Sequence, residues 1–358
     1  MKRIGFLYSK IYDMDNLILA HQNAKKGKGW YREVKMVDED LDGYLGRLQK
    51  TLIDHTYQTS EYKTFVKKEK GKERTIYKLP YFPDRICQWA ILQVIEPYLL
   101  KYFTTDTYSA IPHKGIHDCL HKVDHAVQSD PTGTKYCLKI DARKFYPSID
   151  HTILKEKYRH LFKDPELLGL LDEIIDSTEG ETGIPIGNYL SQHSGNFYLA
   201  EFDHWIKEVK RVKHYYRYMD DIVIFSDSKS DLHRLRIEID VKFQAIKLTM
   251  KDNWQVFPTA VRGVDFVGYR VFPGYKLLRK STCKSMEQKM RLIKKRCDNG
   301  KELNFSEYCA INSYVGWLKH CDSYRLMQKY VDPLEDAQKT YYLKHLKGGK
   351  NHDRTWCS

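Results

Sequence analysis

Apolar positions along this chain recur at two spacings, and the switches between them mark out helices and strands. Between Asn16 and about Thr56 the spacing is helical, broken by the basic loop Lys25-Lys26-Gly27-Lys28-Gly29. Leu41, Leu45, Leu48 and Leu52 share one face of the second helix, and Asp38 is its expected cap. From Tyr62 to Leu79 the pattern is β-prone on both sides of a charged turn containing Gly71, which predicts a hairpin with Lys68 and Arg74 on its two arms. Pro83-Asp84-Arg85 opens a helix to about Phe103 that sets Ile86, Ala90, Val94 and Tyr98 on one side. The loop Tyr108 to Gly115, a further helix and a turn at Pro131-Thr132-Gly133 lead to a strand that ends on Asp141.

Amphipathic helices follow Ser148 and span Pro165 to Ser177, and the loop Gly183 to Gln192 leads into a helix reaching Lys207. Arg217 to Phe225 sets Asp220 and Asp221 between apolar flanks, which predicts a tight hairpin with both acids at its tip. A helix from Asp231 to Lys247, a second hairpin arm from Asp265 to Phe272 and basic helices containing Trp317 and Tyr324 complete an α+β chain without internal repeats.

Composition narrows the partners. With 358 residues, 42% hydrophobic and 30% charged, the chain describes a soluble globular protein of several subdomains. A net charge of +13 points to a polyanion, because dense Lys and Arg gain by neutralising phosphates and releasing counterions. Much of the excess lies from Lys276 onward, where 18 Lys and Arg face 9 Asp and Glu. The 27 Tyr and 6 Trp offer stacking surfaces for bases as well as core. Eight scattered cysteines without a Cys-x-x-Cys pair exclude a zinc knuckle and a disulfide framework, and suggest a reducing cytosol. The basic start at Met1-Lys2-Arg3 has no long apolar run behind it and no stretch approaches a membrane span, so a cytoplasmic protein is expected.

The candidate chemistry sits in the acids. A bare Asp-Asp pair is most often an exposed turn, but here a strand-terminal Asp141 stands upstream, and three converging carboxylates are what a polymerase palm uses to hold two Mg²⁺. Gly187, at the end of the Gly/Pro loop, lets backbone approach a nucleobase, and the helix start behind it favours phosphate. Lys68 and Arg74 suit a fingers-type hairpin over a triphosphate, with a solvated charged turn as the alternative. The run Lys276 to Arg296, nine Lys and Arg against Glu287 alone, fits either a solvated helical face or a thumb along a nucleic-acid duplex.

Tyr218-Met219-Asp220-Asp221, Asp141 with Phe145-Tyr146, and the loop ending in Ser191-Gln192 resemble the palm of bacterial reverse transcriptases. Ile184-Pro185-Ile186-Gly187 with Ser191-Gln192, Phe266-Val267-Gly268-Tyr269-Arg270 and Lys276-Leu277-Leu278-Arg279-Lys280 are most similar to the enzymes of diversity-generating retroelements, over roughly residues 60 to 330. The resemblance implies a right-hand polymerase: a helical extension at 1–60, fingers at 61–135, a palm at 136–275 with an interleaved fingers segment near 151–185, and a basic thumb and tail at 276–358. It implies Asp141, Asp220, Asp221 and the Ala142 carbonyl as Mg²⁺ ligands, and Lys68 and Arg74 on the triphosphate. Tyr146 becomes a steric gate selecting deoxynucleotides, with Ile186, Gly187 and Gln192 lining the nucleotide pocket. Phe266, Val267, Gly268 and Tyr269 become a primer grip, and Lys276, Arg279, Lys280 and Lys284 nucleic-acid contacts. Many relatives carry Gln where this chain has Ile186; in diversity-generating retroelements that pocket accompanies misincorporation opposite template adenines. Ile111 stands where such enzymes usually have Arg, with Lys114 as a nearby substitute.

The expected function is RNA-directed DNA synthesis on a structured template RNA, with dNTPs as substrates, a cDNA or primer duplex in the cleft, and a small basic helical accessory protein as partner. One alternative is a phage-defence or retron-type reverse transcriptase; the thumb's lack of Val-Thr-Gly counts against a retron. No long extension follows the thumb to supply the maturase and endonuclease parts of a group II intron protein. The other alternative is a non-catalytic RNA-binding scaffold.

Overall fold

The structure is a computed structural model that describes residues 2–69 and 72–346. The Lys70-Gly71 turn of the predicted hairpin and the tail at 347–358 lie outside the described residues. The strands are β1 (Lys63–Glu69), β2 (Lys72–Lys78), β3 (Thr107–Tyr108), β4 (Tyr136–Asp141), β5 (Tyr215–Tyr218), β6 (Asp221–Ser226), β7 (Gln255–Pro258), β8 (Val264–Phe266), β9 (Tyr269–Phe272) and β10 (Tyr275–Leu278). They form a β1-β2 ribbon, a five-stranded sheet in the order β3-β5-β6-β4-β7, and a three-stranded sheet in the order β10-β9-β8. β3 runs parallel to β5, whereas the ribbon and the small sheet are antiparallel, so the fold is α+β with a mixed sheet. Contacts divide the chain into two units: 1–111, 139–222 and 233–254, and then 112–138, 223–232 and 255–358.

In the first unit the helix Met14–Ala24 is capped by Asp13 and buries Leu17, Ala20 and Ala24. The helix Leu41–Ile53 buries Leu45, Leu48 and Leu52 as its spacing predicts, but its cap is Asp40, whose carboxylate accepts from the Gly43 amide. Asp38 lies instead in the preceding helix Arg32–Glu39 and pairs with Lys25 and His21, each at 2.8 Å. The helix Ile86–Tyr102 buries Ile91, Leu92, Ile95 and Leu99 as well as Ile86 and Ala90, a wider band than one face. Its neighbours explain this: it packs against both Met14–Ala24 and Tyr189–Tyr198. The helix expected to run unbroken to Lys207 is in fact Tyr189–Tyr198, then Ala200–His204, then a wide turn at Trp205–Val209.

In the second unit the residues Asp265 to Phe272 are a complete hairpin, not one arm: β8 and β9 meet at Val267-Gly268, with Phe266 opposite Tyr269. The basic run divides into β10 and the helix Lys280–Asp298, which buries Met286, Met290 and Ile293 one turn apart and leaves most of its cations outside. Asn304 and Glu307 close a capping box at the head of the helix Phe305–Leu318.

Candidate active site

β5 and β6 are joined by Met219-Asp220 alone, and Met219 takes φ +55°, a left-handed conformation that costs a residue with a side chain on the order of 1 kcal/mol. Asp221 begins β6, and Asp141 ends β4, the strand beside β6 in the sheet. The Asp220 carboxyl is pushed up to about 7, first by burial and then by Asp141, whose carboxyl stands within hydrogen-bonding reach. One oxygen of Asp141, Oδ2, accepts from Lys251 Nζ, while Oδ1 is buried and meets no donor. Asp221 Oδ1 lies 3.5 Å from Lys139 Nζ. Three carboxylates therefore share two ammonium groups. Like charges about 4 Å apart repel by about 4 kcal/mol at an effective dielectric of 20, so the cluster favours either a shared proton or a cation.

The donor set fits a hard divalent cation, which takes oxygen ligands. Asp141 Oδ1 is a buried acceptor without a donor. Ala142 is bridged to Met250 through its neighbours, Lys251 N–H to Asp141 O and Arg143 N–H to Thr249 O, so its own carbonyl stays outside that ladder. The carboxylates are not closed into a ligand cluster: among the described residues no three His, Cys, Asp or Glu side chains stand at ligand spacing, and Lys251 and Lys139 sit on Asp141 and Asp221 instead.

Tyr146 joins the acids. Its hydroxyl lies 4.0 Å from Met219 Sδ, and burial together with Asp220 drives its phenol well above the ordinary range. Gly195, in the helix Tyr189–Tyr198, packs closely against this segment: a Cβ there would stand 3.2 Å from the Phe145 ring, a tight contact, and 3.6 Å from that of Tyr146, an ordinary one. The loop before that helix is tied to the ribbon by Tyr77 N–H donating to Ile186 O at 3.0 Å. Gly187 beside it has φ +121°, and a Cβ there would come 2.8 Å from the Tyr77 carbonyl, so only glycine fits. Ile186 is half-buried, and Gln192 is exposed on the first turn of the helix.

The ribbon carries Lys68 on β1 and Arg74 on β2. Its register sets Lys68 opposite Glu73, with which it forms a 2.9 Å ion pair, and Lys67 opposite Arg74. Directly paired residues project to the same face, so Arg74 shares its face with Lys67 and Lys68 leaves by the other.

In the second unit Phe266, Val267, Gly268 and Tyr269, the residues of the expected grip, are all buried, and the Gly268 carbonyl accepts from the Arg279 N–H at 2.9 Å. Gly268 has φ +91°, and a Cβ there would stand 2.4 Å from the Trp317 ring. Lys276 pairs with Asp124, and Arg279 Nε donates to Asp265 at 2.6 Å, so these two cations have protein partners, whereas Lys280 and Lys284 are exposed. Among the described residues no helix is long and apolar enough to cross a membrane.

Four participants escape a reading by motif: Lys251, Lys139, Lys67 and Asp203, the partner of Arg217. Lys67 shares a face with Arg74 only through the register of the hairpin. The others meet their partners only through the fold.

Residues 66–271 match the family model described as Reverse transcriptase (RNA-dependent DNA polymerase). Protein YkfC of Escherichia coli (strain K12) is 23% identical over 251 residues, 58% of this chain and 66% of that protein. The group II intron-encoded protein LtrA of Lactococcus lactis subsp. cremoris is 22% identical over 217 residues, 57% of this chain and 35% of that protein. The retron Ec73 reverse transcriptase of Escherichia coli is 25% identical over 299 residues, 76% of this chain and 88% of that protein. The chain thus spans just under two thirds of YkfC and about a third of LtrA.

Proposed function

The chain belongs to the reverse transcriptase family, and on that footing we propose that it is an RNA-directed DNA polymerase that extends a primer on a template RNA with deoxynucleotides. The observation that carries the reading is the meeting of Asp141 with Asp220, far apart in sequence, at a tip short of positive charge. In this reading 61–135 are fingers, 136–275 the palm with the 151–185 insertion, 276–358 the thumb and tail, and 1–60 a helical extension.

Asp141, Asp220, Asp221 and the Ala142 carbonyl would hold two Mg²⁺, which when bound would supply the positive charge that lowers the pKa of the primer 3′-hydroxyl and stabilises the pyrophosphate leaving group. Lys251 and Lys139 neutralise the same carboxylates without them. The ring of Tyr146, beside Met219 and Asp220, fills the space a ribose 2′-hydroxyl needs. Arg74 receives the triphosphate with Lys67 as a second cation on its face, and Lys68, on the other face and paired with Glu73, joins them only by leaving that pair. The hairpin Phe266-Val267-Gly268-Tyr269, buried in its own unit, serves as the primer grip only through what it supports, and exposed Lys280 and Lys284 run along duplex phosphates. Mg²⁺-dependent primer extension tests the reading: activity in the wild type and none in Asp220→Asn or Asp141→Asn, with RNA binding retained, is the expected result. No extension by the wild type would leave a non-catalytic RNA-binding scaffold.

The finer reading is an enzyme of a diversity-generating retroelement, error-prone at template adenines, that works with a structured template RNA and a small basic helical accessory protein. The Ile184-Pro185-Ile186-Gly187 loop with Ser191-Gln192 supports it, because the half-buried apolar Ile186 offers no side-chain hydrogen bond to nucleotide or template. A second reading, a retron-type or defence enzyme with a dedicated non-coding RNA, is favoured by the match to the retron Ec73 reverse transcriptase over most of both chains. Sequencing cDNA made on the RNA encoded beside the gene decides between them. Substitutions confined to template adenines support the first, and a faithful copy of one dedicated RNA supports the second.

A further inference from the structure

Arg217 is a charged residue in a strand that is otherwise buried, and it is wholly buried itself, as is its partner Asp203 in the helix Ala200–His204. Burying an ion pair costs desolvation that mutual attraction only just offsets, so the pair is weak evidence for stability, and its retention calls for another reason. Its hydrogen bonds supply one. Arg217 Nε and Nη2 donate to the two oxygens of Asp203 at 2.7 and 2.5 Å, and Nη1 and Nη2 donate to the Asn196 side-chain and backbone oxygens at 3.0 and 3.3 Å. The fifth N–H donates to the Met219 carbonyl at 2.9 Å. Asp203 is equally saturated, accepting also from Thr107 Oγ1 at 3.0 Å and from the Tyr215 hydroxyl. Asn196 is fixed in turn by donating to the Ser109 carbonyl at 2.8 Å.

Every donor of the guanidinium is thus committed to protein, and none remains for a substrate. The one bond that leaves the network reaches Met219, the left-handed residue of the two-residue tip that carries Asp220. We infer that Arg217, clamped by Asp203 and Asn196, is the positioning residue of the acid tip, holding the Met219 carbonyl so that Asp220 stays within hydrogen-bonding reach of Asp141. The inference rests on the polymerase reading of the same acids. The planar fork is what the task needs: a single ammonium can face Asp203 but cannot also span to the Met219 carbonyl.

Two variants separate positioning from structural support. Arg217→Lys keeps the charge opposite Asp203 and gives up the reach, and Arg217→Met with Asp203→Leu replaces the pair by apolar side chains, a change that buried ion pairs commonly tolerate. Each is measured for thermal unfolding, for primer–template affinity, for kcat and dNTP KM in primer extension, and for Mn²⁺ affinity by electron paramagnetic resonance without nucleotide. The expected result is a folded protein with wild-type primer–template affinity and a dNTP KM within about two-fold. Its kcat falls about 10²-fold, as displacements near 1 Å do, and its Mn²⁺ affinity falls about ten-fold. A folded variant with wild-type kcat and Mn²⁺ affinity overturns the inference, and loss of the fold in both variants assigns the pair to stability and overturns it too. A wild type that binds Mn²⁺ no better than Asp220→Asn and extends no primer is a failure of the polymerase reading instead.

Discussion

Two hairpin tips, one in each unit, solve the same backbone problem by opposite means. Met219-Asp220 joins β5 to β6 and Val267-Gly268 joins β8 to β9; Met219, Val267 and Gly268 have φ of +55°, +42° and +91°. The first tip is held from below by a buried guanidinium that donates to its carbonyl. The second is held by an aromatic slab: the Trp317 ring occupies the space where Gly268 would have a Cβ, and Tyr269 stacks on Trp317 with ring centroids 5.3 Å apart. The difference follows from what each tip carries. A tip bearing Asp220, with Asp221 opening the next strand and Asp141 beside it, repels itself, and a directional, charged anchor resists that repulsion better than dispersion does. A tip without charge needs no charged anchor: the ring it lies against and one backbone hydrogen bond, from the Arg279 N–H to the Gly268 carbonyl at 2.9 Å, hold it.

The largest effect expected from this contrast is in catalysis. Asp220→Asn should lower primer extension by about 10³-fold or more, because in the polymerase reading it takes the negative charge from a carboxylate that would hold the metal. Gly268→Ala should leave Mn²⁺ binding at the acids unchanged. Extension that persists in Asp220→Asn, or Mn²⁺ affinity lost in Gly268→Ala, would break the division of labour between the tips.

Next in size is the pH response of the acid tip. In the folded protein Asp220 keeps a proton until about pH 7, whereas the unfolded chain loses it near the ordinary value of 3.8. Between those values the folded state binds more protons, so raising the pH from about 4 to 8 weakens the metal-free fold. A divalent cation removes the penalty by replacing the proton. Scanning calorimetry should therefore find that Mg²⁺ raises Tm more at pH 8 than at pH 5.5, and that Asp220→Asn flattens the difference. An equal effect of Mg²⁺ at both pH values would mean that the acids do not share a site.

The acids were legible in the sequence because their chemistry leaves few alternatives: carboxylates at a strand end and on a two-residue turn are recognisable before any contact is known. Arg217 was legible only as a letter, since Asp203 and Asn196 lie in helices whose distance from β5 no periodicity reports. Lys251 meets Asp141 across 110 residues with nothing nearby in the chain to announce it. Asp38 and Asp40 both precede the Leu41 helix, and which one caps depends on where the preceding helix stops. The hairpin at Lys68 and Arg74 was visible, but the parity of its faces is set by register, which a turn one residue longer would reverse.

The uncharged tip gives the third test. Gly268→Ala places a Cβ where the Trp317 ring stands and strains a φ of +91°, so it should cost about 2–4 kcal/mol by thermal or denaturant unfolding. Trp317→Leu in the same chain should recover part of the packing cost and none of the backbone strain. Full recovery would place the whole effect in the ring.

The smallest effect decides whether a side-chain hydrogen bond also holds the second tip. The Tyr269 hydroxyl donates to the Trp317 carbonyl at 2.9 Å, and its oxygen is left to accept from His117 Nε2 at 3.1 Å. Tyr269→Phe deletes both bonds and keeps the ring that stacks on Trp317. His117 and Trp317 are only partly buried, so water can satisfy what the hydroxyl leaves behind, and the expected cost is about 1 kcal/mol, well below that of Gly268→Ala. A loss as large as that of Gly268→Ala would show that this tip, too, hangs on a directional polar anchor. The contrast with Arg217 would then lie only in the charge of the donor and no longer in the kind of force.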